Sequence, residues 1–439
     1  MDIDASGSQT VKLRKESLGM LLSEHRAECE APCRLVCPLG LNIPLLNRYI
    51  SEGKPGDAGE MAFREMGLPS TACRLCPGYC ENACRRKMID HNIAISSLVH
   101  FSSTAMQAGK SLRQNATGKS VAIAGGGASG LITAFNLLLD GHSVDIFEKE
   151  PYAGGSLIEE IGKKGLHQDI AKVEIERLLE TGIKIRFGIN VDNEFINNSL
   201  VDNYDAVIIA NSHTGLISEV AENGKFIRFE GDTRTLRGRH LFLTGSAAKA
   251  DQPIIRRMSQ AKLTAASVSR FLLTGEISGA KKRFNSTIGK IGDEEKSEWL
   301  RECPEKITRV VEPVNAKESA VEAENCLHCD CRASSECSLR ELCDSMEVKN
   351  PSAKFTGHPI SKKIDYQNRV IFEHAKCIKC GLCVRITDYK TNDPSLCFTG
   401  RGFMTMISEP LSYGFEEITG KNIDKAIYIC PTGALTWKE

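Results

Sequence analysis

VAIAGGGASG, from Val121 to Gly130, reads as a short apolar strand, a glycine turn and the first turn of a helix; VDIFEKE, from Val144 to Glu150, reads as the next strand. Between them SGLITAFNLLLDGH carries apolar residues at helical spacing, so the pieces fall in the order strand, helix, strand. In such a unit Gly125 permits the tight turn, Gly127 lets the backbone approach a pyrophosphate, and Gly130 lets the helix pack close to the strand. Ala128 and Ser129 open the helix, whose N–H groups meet phosphate charge. Glu148 lies eighteen residues beyond Gly130, placed to accept from ribose hydroxyls, with Lys149 beside it. The stretch predicts a parallel α/β unit that binds a dinucleotide. An ordinary strand-turn-helix corner is the plain alternative, and the ordered flanks weigh against it.

The rest of the 439 residues leaves room for two to four domains. Lys plus Arg and Asp plus Glu number 56 each, so the formal charge is zero and no basic field points to nucleic acid or anionic lipid. No apolar run approaches the length of a membrane span, and the N-terminus MDIDASGSQTVKLRKESLGMLL lacks an apolar signal core. A cytoplasmic protein is expected. Its eighteen cysteines are clustered, and reduced cytosolic thiols in clusters favour metal over disulfides.

Two arrays lie near the start. CEAPCRLVCP supplies Cys29, Cys33 and Cys37; CRLCPGYCENACRR supplies Cys73, Cys76, Cys80 and Cys84. Cysteines at i and i+4 share a helix face, and Pro38 and Pro77 break the chain just after a ligand. Zinc is the rival. Seven cysteines in two arrays fit iron–sulfur better, because zinc ribbons pair two CxxC knuckles.

CxxxCxxxCP followed by CPxxCxxxCRR, ahead of a GxGxxG unit, resembles the N-terminal half of the glutamate synthase small subunit and the matching region of dihydropyrimidine dehydrogenase. The resemblance implies two [4Fe-4S] clusters here, one held by Cys29, Cys33 and Cys84 and the other by Cys37, Cys76 and Cys80. It also implies FAD. EPYAGGSL then corresponds to a segment in which Gly154, Gly155 and Leu157 approach the flavin dinucleotide, Val191 to a backbone contact with adenine, and Ala210 to the end of the strand YDAVIIA. Two ligands depart from the pattern: an upstream cysteine is absent, and the non-cysteine ligand position falls on Val99. Cys73, His25 and His100 are the candidate substitutes.

The resembling family inserts a nicotinamide-binding domain after that strand. Here about thirty residues separate Ala210 from LFLTG, too few for another domain, and no second GxGxxG occurs. The closing strand reaches Gly245, but the family's acid is Ser246, with Asp251 as a stand-in. Polar residues 102–118 read as a linker, and charged residues 276–325 as a connecting arm.

CLHCDCRASSEC places Cys326, Cys329, Cys331 and Cys337 within twelve residues, enough for one [4Fe-4S] cluster or a structural zinc; His328 is read as solvent-facing. CIKCGLC with a remote Cys-Pro, namely Cys377, Cys380, Cys383 and Cys430, is the bacterial ferredoxin run with its in-line fourth cysteine replaced by Thr387. It resembles the single-cluster ferredoxin module of hydrogenase and NADH dehydrogenase subunits. Cys303, Cys343 and Cys397 are left over.

The predicted fold class is multidomain, α+β and α/β: a helical iron–sulfur domain (1–108), a Rossmann-like FAD domain (119–275), the arm (276–325) and a cysteine-rich, ferredoxin-like region (326–439). Up to four [4Fe-4S] clusters around one FAD describe a relay. The leading expectation is an electron-transfer subunit of a soluble oxidoreductase. Its partners would be other oxidoreductase subunits, of hydrogenase, formate dehydrogenase or bifurcating NAD(P) type, or a ferredoxin. A self-sufficient NAD(P)H-dependent flavoenzyme and a zinc-stapled scaffold are the alternatives. No hydrolase motif is present, and no catalytic residue is assigned.

Overall fold

The computed structural model describes residues 7–106, 115–210, 226–228, 234–236, 240–248, 252–277, 279, 283–289, 292–294, 297, 310–313, 315–351, 360, 362–386, 396–419 and 423–438. Asp251, Cys303, Thr387 and linker residues 107–114 lie outside these.

Seven helices open the chain: α1 (Ser8–Glu24), α2 (Pro32–Val36), α3 (Ile43–Ser51), α4 (Pro55–Met66), α5 (Pro69–Leu75), α6 (Tyr79–Asn82) and α7 (Ile95–Ala105). Proline starts three of them, at Pro32, Pro55 and Pro69, where its missing N–H costs nothing and its fixed φ suits the first turn. Asn42 caps α3 by accepting from Leu45 N at 3.3 Å. Helix α7 runs into the expected linker. Ser102 and Ser103 are buried there, their hydroxyls donating to Leu98 O (2.7 Å) and Val99 O (2.8 Å), so polar residues that suggested a loop are satisfied within a helix. Gly59 of α4 permits the contact, since a Cβ there would stand 2.1 Å from Ser102 O.

The predicted strand-helix-strand unit follows as β1 (Ser120–Ala124), α8 (Ala128–Leu139) and β2 (Ser143–Glu148). Then come α9 (Ser156–Lys163), α10 (Asp169–Glu180), β3 (Lys184–Phe187) and β4 (Ala206–Ile209). Strands β5 (Phe226–Arg228), β6 (Arg234–Leu236) and β7 (Leu241–Leu243) and helix α11 (Ile254–Thr274) close it. The sheet order is β3-β2-β1-β4-β7-β6-β5, parallel through β7 and antiparallel for the β5–β6 hairpin. That hairpin is the described secondary structure between Ala210 and Leu241.

Helix α8 is buried on nearly every side. Its Phe135 meets Phe63 of α4 with ring centroids 5.1 Å apart, and Ile132 and Phe135 lie against Gly67. One hydrophobic core therefore runs from Leu39 and Phe63 through α8 to Val268 of α11, joining the cysteine-bearing helices to the sheet.

Within the expected arm, α12 (Ala316–Glu324) packs on α3. Helix α13 (Ser338–Ser345) packs against α1 through Leu18, Leu22, Leu339 and Cys343. The C-terminal part has β8 (Lys362–Asp365), β9 (Val370–Glu373), α14 (Leu382–Ile386), β10 (Cys397–Thr399) and β11 (Met406–Ser408). It ends with α15 (Phe415–Thr419), α16 (Ile423–Ile429) and β12 (Leu435–Trp437). The antiparallel sheet β12-β9-β8 covers its own core around Phe372, Phe415 and Ile423. Among the described residues no helix is long and apolar enough to cross a membrane.

Candidate functional site: a nucleotide crevice and facing thiols

The crevice lies where parallel strands reverse order, at the carboxyl ends of β1 and β4, the usual ligand position in such sheets. Gly125 turns with φ +110°, and a Cβ on Gly130 would stand 1.9 Å from Gly125 O. Gly127 borders open space: nothing lies within 4 Å of where its Cβ would be. Gly154 and Gly155, both at positive φ, lay a second glycine turn against the first through the Gly127–Gly154 bridge, and Gly154 N donates to Gly126 O at 2.9 Å. Buried Glu148 accepts from Gly126 N (2.5 Å) and Glu150 N (2.9 Å). A carboxylate has about four lone-pair sites, so both oxygens keep capacity for a ligand.

Ala128 and Ser129 begin α8, and a Cβ on Gly245, which has φ +57°, would stand 2.1 Å from Ser129 Oγ. Ala210 immediately follows β4, its N–H donating to Ala124 O at 2.9 Å. Buried Thr244, at the end of β7, has a hydroxyl with no hydrogen-bond partner. Leu157 and Val191 are buried, while Lys149 is exposed and pairs with Glu150 at 3.6 Å. An open cradle, an unpaired hydroxyl and a carboxylate with spare lone pairs fit an extended dinucleotide.

Among the described residues the cysteines meet in four places. Cys37, Cys73, Cys76 and Cys80 line one pocket with Tyr79 and Ile255. Burial raises the Cys73 and Cys80 thiols, and the neighbouring thiols of the group add to it. Cys33 is pushed well up by burial, then by Cys326, Cys329 and Cys84; Cys326 is pushed up to about 11 by burial, against the His328 N–H and the Asn47 side chain. Cys29 is pushed up to about 11 by burial, against the Ser286 N–H, and has Cys331 and Cys337 nearby. Cys377, Cys380, Cys383 and Cys430 line a second pocket. Burial lifts Cys377 to about 12 and Cys383 to about 11.

Cys37, Cys76 and Cys80 stay together as the resemblance implied, and Cys73, one of the candidate substitutes, sits with them. The grouping departs from expectation at Cys29, which lies by Cys331 and Cys337 instead of with Cys33 and Cys84, and at residues 326–337, whose four cysteines divide between two places instead of one. His25 instead contacts Lys376 O at 3.0 Å, His100 contacts Ser70 Oγ at 2.6 Å, and Val99 is core. His328 is not solvent-facing: it is half-buried, its Nδ1 is unpartnered, and burial pushes its pKa down to about 3. Cys343 is fully buried among apolar side chains, and Cys397 begins β10. The sequence carried no signal for these long-range meetings beyond the cysteines themselves.

Backbone geometry marks two loops. His328 and Lys379, each just before the second cysteine of a CxxC, have φ +46° and +55°. Lys379 N donates to Cys377 Sγ at 3.3 Å, and the His328 N–H is directed at Cys326. Left-handed non-glycine residues carry a steric cost, and here the strain turns an N–H onto a sulfur.

Residues 16–110 match the family described as dihydropyrimidine dehydrogenase domain II, 4Fe-4S cluster, and residues 123–167 match the NAD(P)-binding Rossmann-like domain. The chain is 30% identical over 227 residues to the NADP(+)-dependent formate dehydrogenase subunit beta of Moorella thermoacetica, covering 45% of this chain and 32% of that one. It is 28% identical over 226 residues to the NADPH-Fe(3+) oxidoreductase subunit beta of Geobacter sulfurreducens, covering 49% and 31%. It is 30% identical over 192 residues to the glutamate synthase [NADPH] small chain of Mycobacterium tuberculosis, covering 43% and 39%. The chain thus spans between 31% and 39% of the length of these curated relatives. A 4Fe-4S domain of the dihydropyrimidine dehydrogenase domain II family, followed by a Rossmann-like nucleotide-binding domain, makes this chain a relative of the glutamate synthase small chain and the formate dehydrogenase beta subunit.

Proposed function

We propose that the chain is an FAD- and [4Fe-4S]-containing electron-transfer subunit of a cytoplasmic multi-subunit oxidoreductase, whose end reactions lie on partner chains. The observation that carries this reading is the order of the thiol sites. Ile255 of α11, the helix that closes the nucleotide-binding unit, lines the Cys37–Cys80 cavity. Cys80 neighbours Cys33; Cys329 and Cys331 are two residues apart; Cys337 neighbours Cys430; and Cys380, at the far end, is exposed. The line runs from the helix that closes the nucleotide-binding unit to the exposed Cys380.

When bound, FAD exchanges one or two electrons and the clusters pass single electrons. The chain's own residues hold and tune. Gly127 and the α8 N-terminus receive the pyrophosphate, Glu148 receives ribose hydroxyls, and the second glycine turn at Gly154 and Gly155 leaves room for a longer dinucleotide. The N–H groups of Lys379 and His328 stabilise sulfur charge, one of the levers on cluster potential. Among the described residues no three His, Cys, Asp or Glu side chains converge closely enough for one metal ion. A zinc ion needs its sulfurs within ~2.3 Å, whereas a cuboidal cluster spreads its ligands over a larger body.

The partner proposal draws on the relatives, named as subunits of formate dehydrogenase and of an NADPH-Fe(3+) oxidoreductase. Ferredoxin is a further candidate. Anaerobic purification with co-purifying chains, and assay of iron, sulfide and flavin in one sample, tests the reading. A brown flavoprotein that needs its partners for turnover supports it. A colourless zinc protein, or an isolated chain oxidising NADPH at enzymatic rates, overturns it.

A further inference from the structure

Cys29, Cys33 and Cys37 stand four residues apart around α2, and each meets a different set of thiols. Only Cys33 lies in α2; Cys29 precedes the helix and Cys37 is its extended C-cap, so the chain changes direction on either side of Cys33 and the three side chains reach different sites. We infer that this array deals one cysteine to each of three clusters, and that residues 326–337 divide theirs between two. Cys326 and Cys329 complete a [4Fe-4S] site with Cys33 and Cys84, while Cys331 and Cys337 join Cys29 at the next. The inference rests on the iron–sulfur reading above and adds the ligand assignment, in which the chain's first and last thirds share two centres.

Packing separates the two halves of CLHCDCRASSEC. Cys329 lies with Ile360, Ala375 and Met88, whereas Cys337 lies with Leu18, Leu22 and Leu339. The strongest thiol neighbours of Cys329 are Cys326 and Cys84, and those of Cys337 are Cys331 and Cys430. Cys331 N donates to Cys29 O at 3.1 Å, which fixes the second half beside the first array.

Buried polar contacts lock this register. Arg48 of α3 makes a two-pronged bond to Asp330, at 3.3 and 3.1 Å, and Arg86 Nη1 donates to Asn325 O at 3.3 Å. Asn47 is 0% exposed, its amide has no nitrogen or oxygen partner, and it reaches the Cys326 thiol. A buried amide left without such a partner is costly, and a cluster-bound sulfur at Cys326 supplies the acceptor. The missing upstream cysteine is thereby replaced from residues 326–329.

The test uses the full chain purified anaerobically with its clusters. Iron, sulfide and the electron paramagnetic resonance spectrum of the reduced protein are compared among C33A, C326A, C337A and the double variants, with retained flavin as the mark of a folded chain. C33A and C326A are expected to lose the same signal and about four irons each, with no further loss in the double variant. Additive loss in C33A/C326A, or one shared signal lost in C326A and C337A, overturns the assignment. Should the variants fail to fold, the wild-type protein serves: during stepwise iron chelation, alkylation of Cys326 should rise together with Cys33 and Cys84. Co-alkylation with Cys331 and Cys337 instead overturns the assignment. Wild-type protein without iron defeats the iron–sulfur reading itself, a result separate from either pattern.

Discussion

Gly130 has no room for a methyl group, because Gly125 O occupies the place where it would go. G130A must push α8 off β1 at the point where the dinucleotide is expected, and overpacking of this kind costs about 1–3 kcal/mol. The expected outcome is a lower melting temperature and a flavin-to-protein ratio well below that of the wild type, read by absorbance. His142 offers a pH test. It is buried between Thr117 Oγ1 (2.7 Å) and Ser269 Oγ (3.0 Å), and burial lowers its pKa. A histidine kept neutral by the fold contributes stability that is fully present above its unfolded pKa of about 6.5 and lost as pH falls through the folded value. Melting temperature should therefore drop on acidification below pH ~6.5, and H142Q should flatten that part of the profile. An unchanged slope in H142Q would assign the acid sensitivity elsewhere. At this scale the glycines were legible because each fills a backbone need with a fixed position. The partners of Cys33 and Cys73 were not, because a thiol carries no mark of which distant thiol it will face.

Helix α12 and its Glu322 illustrate what periodicity conveys and what it leaves out. The charged run around it read as an arm, yet Glu322 is 1% exposed and accepts from Ala94 N and Val310 N, both at 2.8 Å. E322A strands two N–H groups, and the expected destabilisation is about 2–4 kcal/mol, measurable by denaturant titration; E322Q keeps one acceptor but turns an NH2 on the other N–H, so it should recover only a small part of the loss. Glu174 plays the same part at the start of α5, accepting from Ser70 N and Thr71 N at 2.8 Å each, and so moors the cysteine-bearing helices on α10. Strands β1, β2 and β4, and helices α8 and α10, were readable from apolar spacing alone. Helices stabilised by one buried carboxylate were not, since a glutamate in sequence looks like solvent-facing charge.

For the whole molecule, the shared core and the thiol line make the cysteine-bearing helices and the nucleotide unit one body. C380A should lower iron by about four per chain and slow electron delivery to a protein acceptor while leaving flavin content unchanged. Loss of flavin in that variant would show that the C-terminal site is not the remote end of the line. The multidomain α+β and α/β class was legible because motif order is written along the chain. The interleaving of its ends was not, because it arises only when α3 and Asp330 meet.

That interleaving sets a timetable for synthesis. Cys84 leaves the ribosome 245 residues before Cys329, a delay of roughly 10–50 s at usual translation speeds. Throughout that interval the early thiols stand without their later companions. On the proposed ligand sharing, loading of the shared centres waits until Cys337, about three-quarters of the way along the chain, has emerged, and a message cut short near codon 310 would yield a product deficient in its front half as well as its missing tail.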